Sequence, residues 1–294
     1  MISPQQLKGT GVALVTPFNQ QKEIDHSALA RLVDFVLDDG VDFLVALGTT
    51  AETATLSDKE KLEVIQTIKT TNNSRVPLVM GMGSNNTHQI VDTINKTNFD
   101  GIDAILSVTP YYNKPTQEGL YQHYKSIAEV SPVPVIIYNV PSRTGCNIAS
   151  GTTLRLAQDF DNIIAVKEAS GDMVQIMEII QGKPENFLVL SGDDATTLPI
   201  IASGGDGVIS VIANGFPCEF SKMVKAGLND QLDEARSIQY RLLDLMKSIF
   251  IDGNPAGIKT ILELRQIIDN QLRLPLVRVS DQTYALIKDQ FEAF

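Results

Sequence analysis

The sequence predicts an α/β fold, a (β/α)8 TIM barrel with a C-terminal helical appendix. Three observations predict it. Eight short apolar runs rich in β-branched residues recur at a spacing of about 20–33 residues, the size of one strand–helix unit. Amphipathic stretches fill the gaps between them. After about Phe216 the runs stop and only helical periodicity remains. The expected division is therefore 1–224 for the barrel and 225–294 for the helical part.

The first run, Val12–Thr16, leads through Pro17-Phe18-Asn19 into a helix over His26–Asp38. That helix carries Leu29, Leu32, Val33, Val36 and Leu37 on one stripe, a core-facing pattern. The second run, Phe43–Leu47, precedes a helix over Asp58–Thr70, where Ser57 and Glu60 form a capping box at the start. The remaining strands are Val76–Gly81, Ala104–Val108, Val135–Tyr138, Ile163–Lys167, Leu188–Ser191 and Gly207–Val211. They read as continuous apolar segments rather than alternating ones, as strands do when a parallel sheet is covered on both faces. Helical periodicity then covers Gln231–Ile251, Pro255–Ile268 and Asp281–Phe291, punctuated by Gly253-Asn254-Pro255 and Leu274-Pro275. A doubly wound open sheet usually has fewer strands and a glycine fingerprint after the first. Here the first strand runs into Pro17, and no such fingerprint follows.

The 294 residues include 24 Lys and Arg against 35 Asp and Glu, a formal charge of −11. That balance argues against nucleic acid or an anionic membrane surface as the main partner, since both require dense cationic patches. Cys146 and Cys218 are far apart and form no CxxC pair, so a reducing compartment is expected and no disulfide framework. The N-terminus lacks the pattern of a secretory signal and no apolar run is long enough to span a bilayer, which makes cytoplasm the expected location. His26, His88 and His123 are scattered without metal-ligand spacing. Gly81-Met82-Gly83 begins like a dinucleotide motif, but its third glycine position is Asn86. No metal, nucleotide or other cofactor is expected.

In a barrel of this kind reactive groups stand at the C-terminal ends of strands and in the loops that follow. Lys167 is the sharpest candidate, an amine delivered to the barrel mouth by the apolar strand Ile163-Ile164-Ala165-Val166. A lysine that attacks a carbonyl must be neutral, and burial or a nearby cation can supply the required depression of its pKa. The plainer alternative is a strand-end lysine paired with a carboxylate such as Glu168. Tyr138 ends the neighbouring strand and could relay protons; an ordinary buried tyrosine is the alternative. Arg143 lies in a loop containing Pro141 and Gly145, where a guanidinium suits capture of a carboxylate, or is simply a surface arginine. Thr49 and Thr50 offer hydroxyls and backbone N–H groups near a helix start, a natural carboxylate cradle or an ordinary cap. Tyr111-Tyr112 fits either rim aromatics or a subunit contact.

With these strand ends assembled, the sequence resembles the dihydrodipicolinate synthase family of class I, Schiff-base aldolases and lyases. The resemblance runs over essentially the whole chain. It rests on the GTT-x-E segment at Gly48–Glu52, TPYYNKPTQEGLYQHY at Thr109–Tyr124, YNVPSRTG at Tyr138–Gly145 and VKEASGD at Val166–Asp172. SGDD at Ser191–Asp194 and GGDGVISVIAN at Gly204–Asn214 complete it.

The resemblance implies that Lys167 forms an imine with pyruvate. It implies a proton relay of Tyr138, Thr50 and Tyr112, the last reaching across from a neighbouring subunit. Thr49 and Thr50 would hold the pyruvate carboxylate. Arg143 would bind the carboxylate of the second substrate, L-aspartate 4-semialdehyde, and Gly192 and Ile209 would line the lysine pocket through their backbones. The implied reaction begins the diaminopimelate branch of lysine synthesis, in a homotetramer built from tight dimers. N-acetylneuraminate lyases and keto-sugar-acid aldolases share the lysine, the tyrosine and the cradle, but a second substrate with its own carboxylate needs the cation that Arg143 supplies.

One departure falls in the cradle. The family often has glycine where this chain has Ala51, so the turn should not need φ > 0 there. A second departure bears on feedback by L-lysine, whose site in regulated relatives corresponds to the neighbourhood of Tyr111, Thr53–Lys61 and Ser84–Gln89. Asn85 and Tyr111 match. Asp58 and Lys61 stand at histidine-like positions, and Gln89 replaces an acid, which implies weak or altered inhibition.

Overall fold

Eight parallel strands close into a barrel in strict sequence order, and the last pairs with the first. The structure is a computed structural model and describes residues 2–294. The strands are β1 (Gly9–Ala13), β2 (Phe43–Ala46), β3 (Leu78–Gly81), β4 (Ala104–Val108), β5 (Val135–Asn139), β6 (Ile163–Glu168), β7 (Leu188–Ser191) and β8 (Gly207–Ser210). Helices connect successive strands and cover the outside, so the barrel expectation holds.

Two strands differ from the sequence expectation at their starts, for physical reasons. β1 begins at Gly9 rather than Val12. Its glycines carried no strand signal, yet a Cβ on Gly11 would lie 2.1 Å from the Phe43 ring, so the small residue makes room for the large one beside it. β3 begins at Leu78 rather than Val76. The Val76 carbonyl accepts from Asn72 Nδ2 at 2.8 Å, and Pro77 has no N–H to give to a ladder. β6 runs one residue past Lys167 to Glu168, which is paired with Ser191 of β7.

Side chains alternate inward and outward along each strand. Phe43 and Val45 of β2, Val79 of β3, Ile136 of β5 and Leu190 of β7 pack together inside the barrel. Their sequence neighbours pack outward against the helices, in two larger clusters. Both faces are apolar, which is why the strands read as unbroken runs.

The C-terminal helices span Leu232–Ser248, Ala256–Leu264 and Asp281–Ala293. The middle one ends at Leu264 rather than Ile268, and Gln266 turns the chain at φ +58. The division expected between residues 224 and 225 falls within the helix Pro217–Leu228. A single apolar cluster joins Phe220 and Met223 of that helix to Leu242 and Leu245 beyond it and to Ile258 and Ile261 further on. Among the described residues, no helix is long and apolar enough to cross a membrane.

Candidate active site

Strand alternation decides where the reactive groups point. Lys167 shares the parity of Ala165, and Tyr138 that of Ile136, so both face the barrel interior. The β5–β6 register sets Tyr138 directly beside Lys167, and the lysine Nζ lies 4.3 Å from the centre of the tyrosine ring. Lys167 is 5% exposed and Tyr138 8%. Glu168 has the opposite parity. Its carboxylate accepts from Asn139 Nδ2 at 2.7 Å, Gln175 Nε2 at 2.8 Å and Ser170 Oγ at 3.3 Å. Burial raises the Glu168 pKa, and these hydrogen bonds oppose the rise. A simple Lys167–Glu168 pair is thereby replaced by two separate roles on two faces of β6.

Gly192 follows β7 and borders the lysine. A Cβ there would meet Ala169 Cβ at 2.7 Å and Lys167 Cε at 3.1 Å, so a side chain would press on the lysine stem. Ile209 of β8 is buried in the interior cluster.

The cradle segment follows β2. Thr49–Ala51 forms one tight helical turn, with Leu47 before it at φ +55 and Glu52 after it at φ +54. Ala51 itself lies outside the positive-φ region, in line with the expectation for the position where the family often has glycine. Thr16 Oγ1 donates to the Ala51 carbonyl at 2.8 Å, and Thr53 Oγ1 donates to that of Gly48 at 2.9 Å. Thr49 is exposed and Thr50 is buried. Thr50 Oγ1 accepts from Asn254 Nδ2 at 2.9 Å. Next to it, Glu52 pairs with Lys259 at 2.5 Å, both side chains fully buried, and also accepts from the Arg273 N–H at 3.0 Å.

Arg143 is exposed on the short helix Pro141–Thr144 after β5. The loop that carries it is tied down on both sides. Asn139 Nδ2 donates to Asn147 Oδ1 at 2.7 Å, and Asn147 Nδ2 donates to Gln175 Oε1 at 2.8 Å. Tyr112 is not brought to the lysine within one chain. It is 89% exposed, at φ +74, beside Tyr111 at 41%. Asn85 Nδ2 donates to the Tyr111 carbonyl at 3.1 Å, and close by in sequence Gln89 Oε1 already accepts from Ser84 Oγ at 2.9 Å; on the helix Asp58–Asn72, Lys61 pairs with Asp58 at 3.0 Å. Among the described residues, no three His, Cys, Asp or Glu side chains gather as metal ligands would.

Sequence reasoning passed over Asn254, Lys259 and the Glu168 network. The string Asn254-Pro255 read only as a break between helices, and Lys259 as a helix residue with no assigned role.

Asp194, in the loop after β7, carries a pH prediction. Its Oδ2 accepts the N–H groups of Ile212 at 2.8 Å and Val211 at 3.1 Å. Burial pushes its pKa up to about 6, against the lowering effect of these bonds. A raised carboxyl binds its proton more tightly in the folded chain, so its contribution favours folding at acid pH and is lost as pH rises through about 6. The stability of wild type relative to Asp194→Asn should therefore fall as pH rises from about 4 to about 6. Urea unfolding at several pH values checks this, and a difference independent of pH would contradict it.

The model of the dihydrodipicolinate synthetase family matches residues 6–293. A 4-hydroxy-tetrahydrodipicolinate synthase of Flavobacterium psychrophilum is 55% identical over 94% of this chain and 94% of its own length. One of Parabacteroides distasonis is 52% identical over 96% and 95%. The crystal structure of dihydrodipicolinate synthase from Thermotoga maritima superposes with a TM-score of 0.95 at 37% identity, covering 98% of each chain. The match extends through the helices after the barrel as well as the strand ends. On that extent of agreement, the chain belongs to the dihydrodipicolinate synthetase family.

Proposed function

We propose that the chain catalyses the 4-hydroxy-tetrahydrodipicolinate synthase reaction, condensing pyruvate with L-aspartate 4-semialdehyde on the route to diaminopimelate and L-lysine. The observation that carries the reading is the inward-facing pair Lys167 and Tyr138, adjacent across β5 and β6 at the strand ends of a closed barrel.

The Lys167 amine adds to the keto carbon of pyruvate, and water leaves to give an iminium. The positive nitrogen takes up electron density as a methyl proton departs, leaving an enamine. The enamine carbon attacks the aldehyde carbon of the second substrate. The amino group of the adduct then displaces Lys167, closing the ring and freeing the enzyme.

Tyr138 moves protons beside the imine, and a neighbouring subunit's Tyr112 and one of the two cradle threonines complete the relay. The exposed aromatic pair Tyr111-Tyr112 supports that contribution across an interface, in a homotetramer of tight dimers. Within the threonine pair, Thr50 Oγ1 already accepts from Asn254, which suits it to donate its hydrogen to the pyruvate carboxylate. The more exposed Thr49 hydroxyl is then the threonine left free for the relay. Gly192 and Ile209 line the lysine pocket. The free cysteines, one buried and one exposed, support a reducing cytoplasmic location.

Borohydride reduction in the presence of pyruvate tests the reading. It should add one reduced pyruvate to Lys167, located by peptide mass, and an unmodified lysine would overturn it. Arg143 is tested separately. Arg143→Ala should leave pyruvate trapping unchanged and raise KM for L-aspartate 4-semialdehyde by roughly 10- to 100-fold, the worth of a charged hydrogen-bonding contact. Unchanged condensation kinetics would remove Arg143 from the site.

A further inference from the structure

The cradle loop does not hold its own shape. Leu47 and Glu52 bracket it at φ +55 and +54, a region that non-glycine residues enter only when the surroundings impose it. Two of the impositions come from the far end of the chain. Asn254 Nδ2 donates to Thr50 Oγ1 across 204 residues of sequence, and Lys259 Nζ donates to Glu52 Oε1 across 207. Both donors belong to the segment that starts the helix Ala256–Leu264.

The first contact bears on chemistry. A hydroxyl whose oxygen is already accepting has its hydrogen turned elsewhere and is strengthened as a donor. Buried in the turn that follows the C-terminal end of β2, Thr50 can then offer that hydrogen to a carboxylate lying on the cradle. Asn254 is itself buried, and its Oδ1 finds no partner among the described residues. Buried polar atoms are ordinarily satisfied, so an amide retained with one half unpaired points to a need for its N–H.

We propose that Asn254 is a positioning residue for the pyruvate site, its amide holding Thr50 Oγ1 as an acceptor and so directing the Thr50 hydroxyl hydrogen at the pyruvate carboxylate. This rests on the reading of Thr49–Thr50 as the carboxylate cradle. Asn254 touches no reacting atom; it acts through Thr50.

The test compares steady-state kinetics of wild type, Asn254→Ala, Asn254→Asp, Thr50→Val and the two double variants. Aspartate nearly preserves the shape of asparagine but has no N–H to donate. Asn254→Ala and Asn254→Asp should each raise KM for pyruvate by about tenfold, the scale of one lost hydrogen bond in a dry site. KM for L-aspartate 4-semialdehyde should stay within about twofold, because the cradle does not hold that substrate. On the Thr50→Val background either Asn254 change should add nothing, since the group it acts through is gone. A merely structural asparagine would give additive losses instead.

An unchanged pyruvate KM in Asn254→Asp, or additive double variants, overturns the proposal. Should Asn254→Ala fail to fold, Asn254→Asp and its double with Thr50→Val give the same reading. Borohydride trapping of wild type separates the two levels. A wild-type chain that takes no pyruvate onto Lys167 sinks the functional reading and this proposal together. A trapped wild type with an indifferent Asn254→Asp sinks this proposal alone.

Discussion

Lys167→Ala should abolish borohydride trapping of pyruvate and lower turnover by at least roughly 10⁴-fold, the scale seen when an enzyme loses its covalent nucleophile. Among the described residues the other buried lysine is Lys259, which is wholly enclosed and bound to Glu52 and the Gln271 carbonyl, so it is not free to replace Lys167. Lys167→Arg separates nucleophile from charge. A guanidinium can keep a cation near the Tyr138 ring but cannot condense with a ketone under these conditions, so it too should go untrapped. Folding should survive the alanine change, because reactive buried groups are commonly held at some cost to stability. The check is mass spectrometry of reduced samples beside thermal melts. Residual trapping in Lys167→Ala, mapped to another residue, would mean that the imine forms elsewhere.

Much of that site was legible because its parts are local. A lysine at the end of an apolar strand, a tyrosine at the end of the one before it, and a threonine pair after a third can each be read within a few residues of sequence. The barrel then brings the strand ends together by topology alone. Two things were less accessible. Strand starts were obscured where glycine and proline do the work, at Gly9–Gly11 and Val76-Pro77. The support of the cradle was hidden altogether, because it joins residues 50 and 52 to residues 254 and 259. Periodicity reports which face of a helix is apolar; it does not report that a lysine on that helix is sealed against a glutamate two hundred residues away. Tyr112 is a different case. One chain leaves it in solvent, so its proposed place in the relay depends on a second copy.

The ion pair at the cradle carries the second large prediction. Lys259 and Glu52 are 2.5 Å apart with both side chains fully buried, and Lys259 also lies 4.5 Å from the centre of the Phe18 ring. Lys259→Met should cost roughly 3–5 kcal/mol, because it leaves the buried Glu52 carboxyl without its main partner. For a chain of this size that is a fall in Tm on the order of 10 °C. Glu52→Gln combined with Lys259→Met removes both charges and should recover most of the loss, since a buried pair is worth far less than the penalty for breaking it. The cost of burying the lysine charge also has a signature in pH. Burial pushes the Lys259 pKa down to about 8, and Glu52 opposes that shift. An unfolded lysine titrates near about 10.4, so between about 8 and about 10.4 the unfolded chain holds the extra proton. Stability of wild type relative to the double variant should therefore rise with pH across that window, although the ion pair itself is being lost. Denaturant unfolding at pH values spanning the window measures the slope. A single variant as stable as the double one would show that Glu52 is not stranded by the loss of its lysine, and that the C-terminal segment does not hold the cradle through this pair.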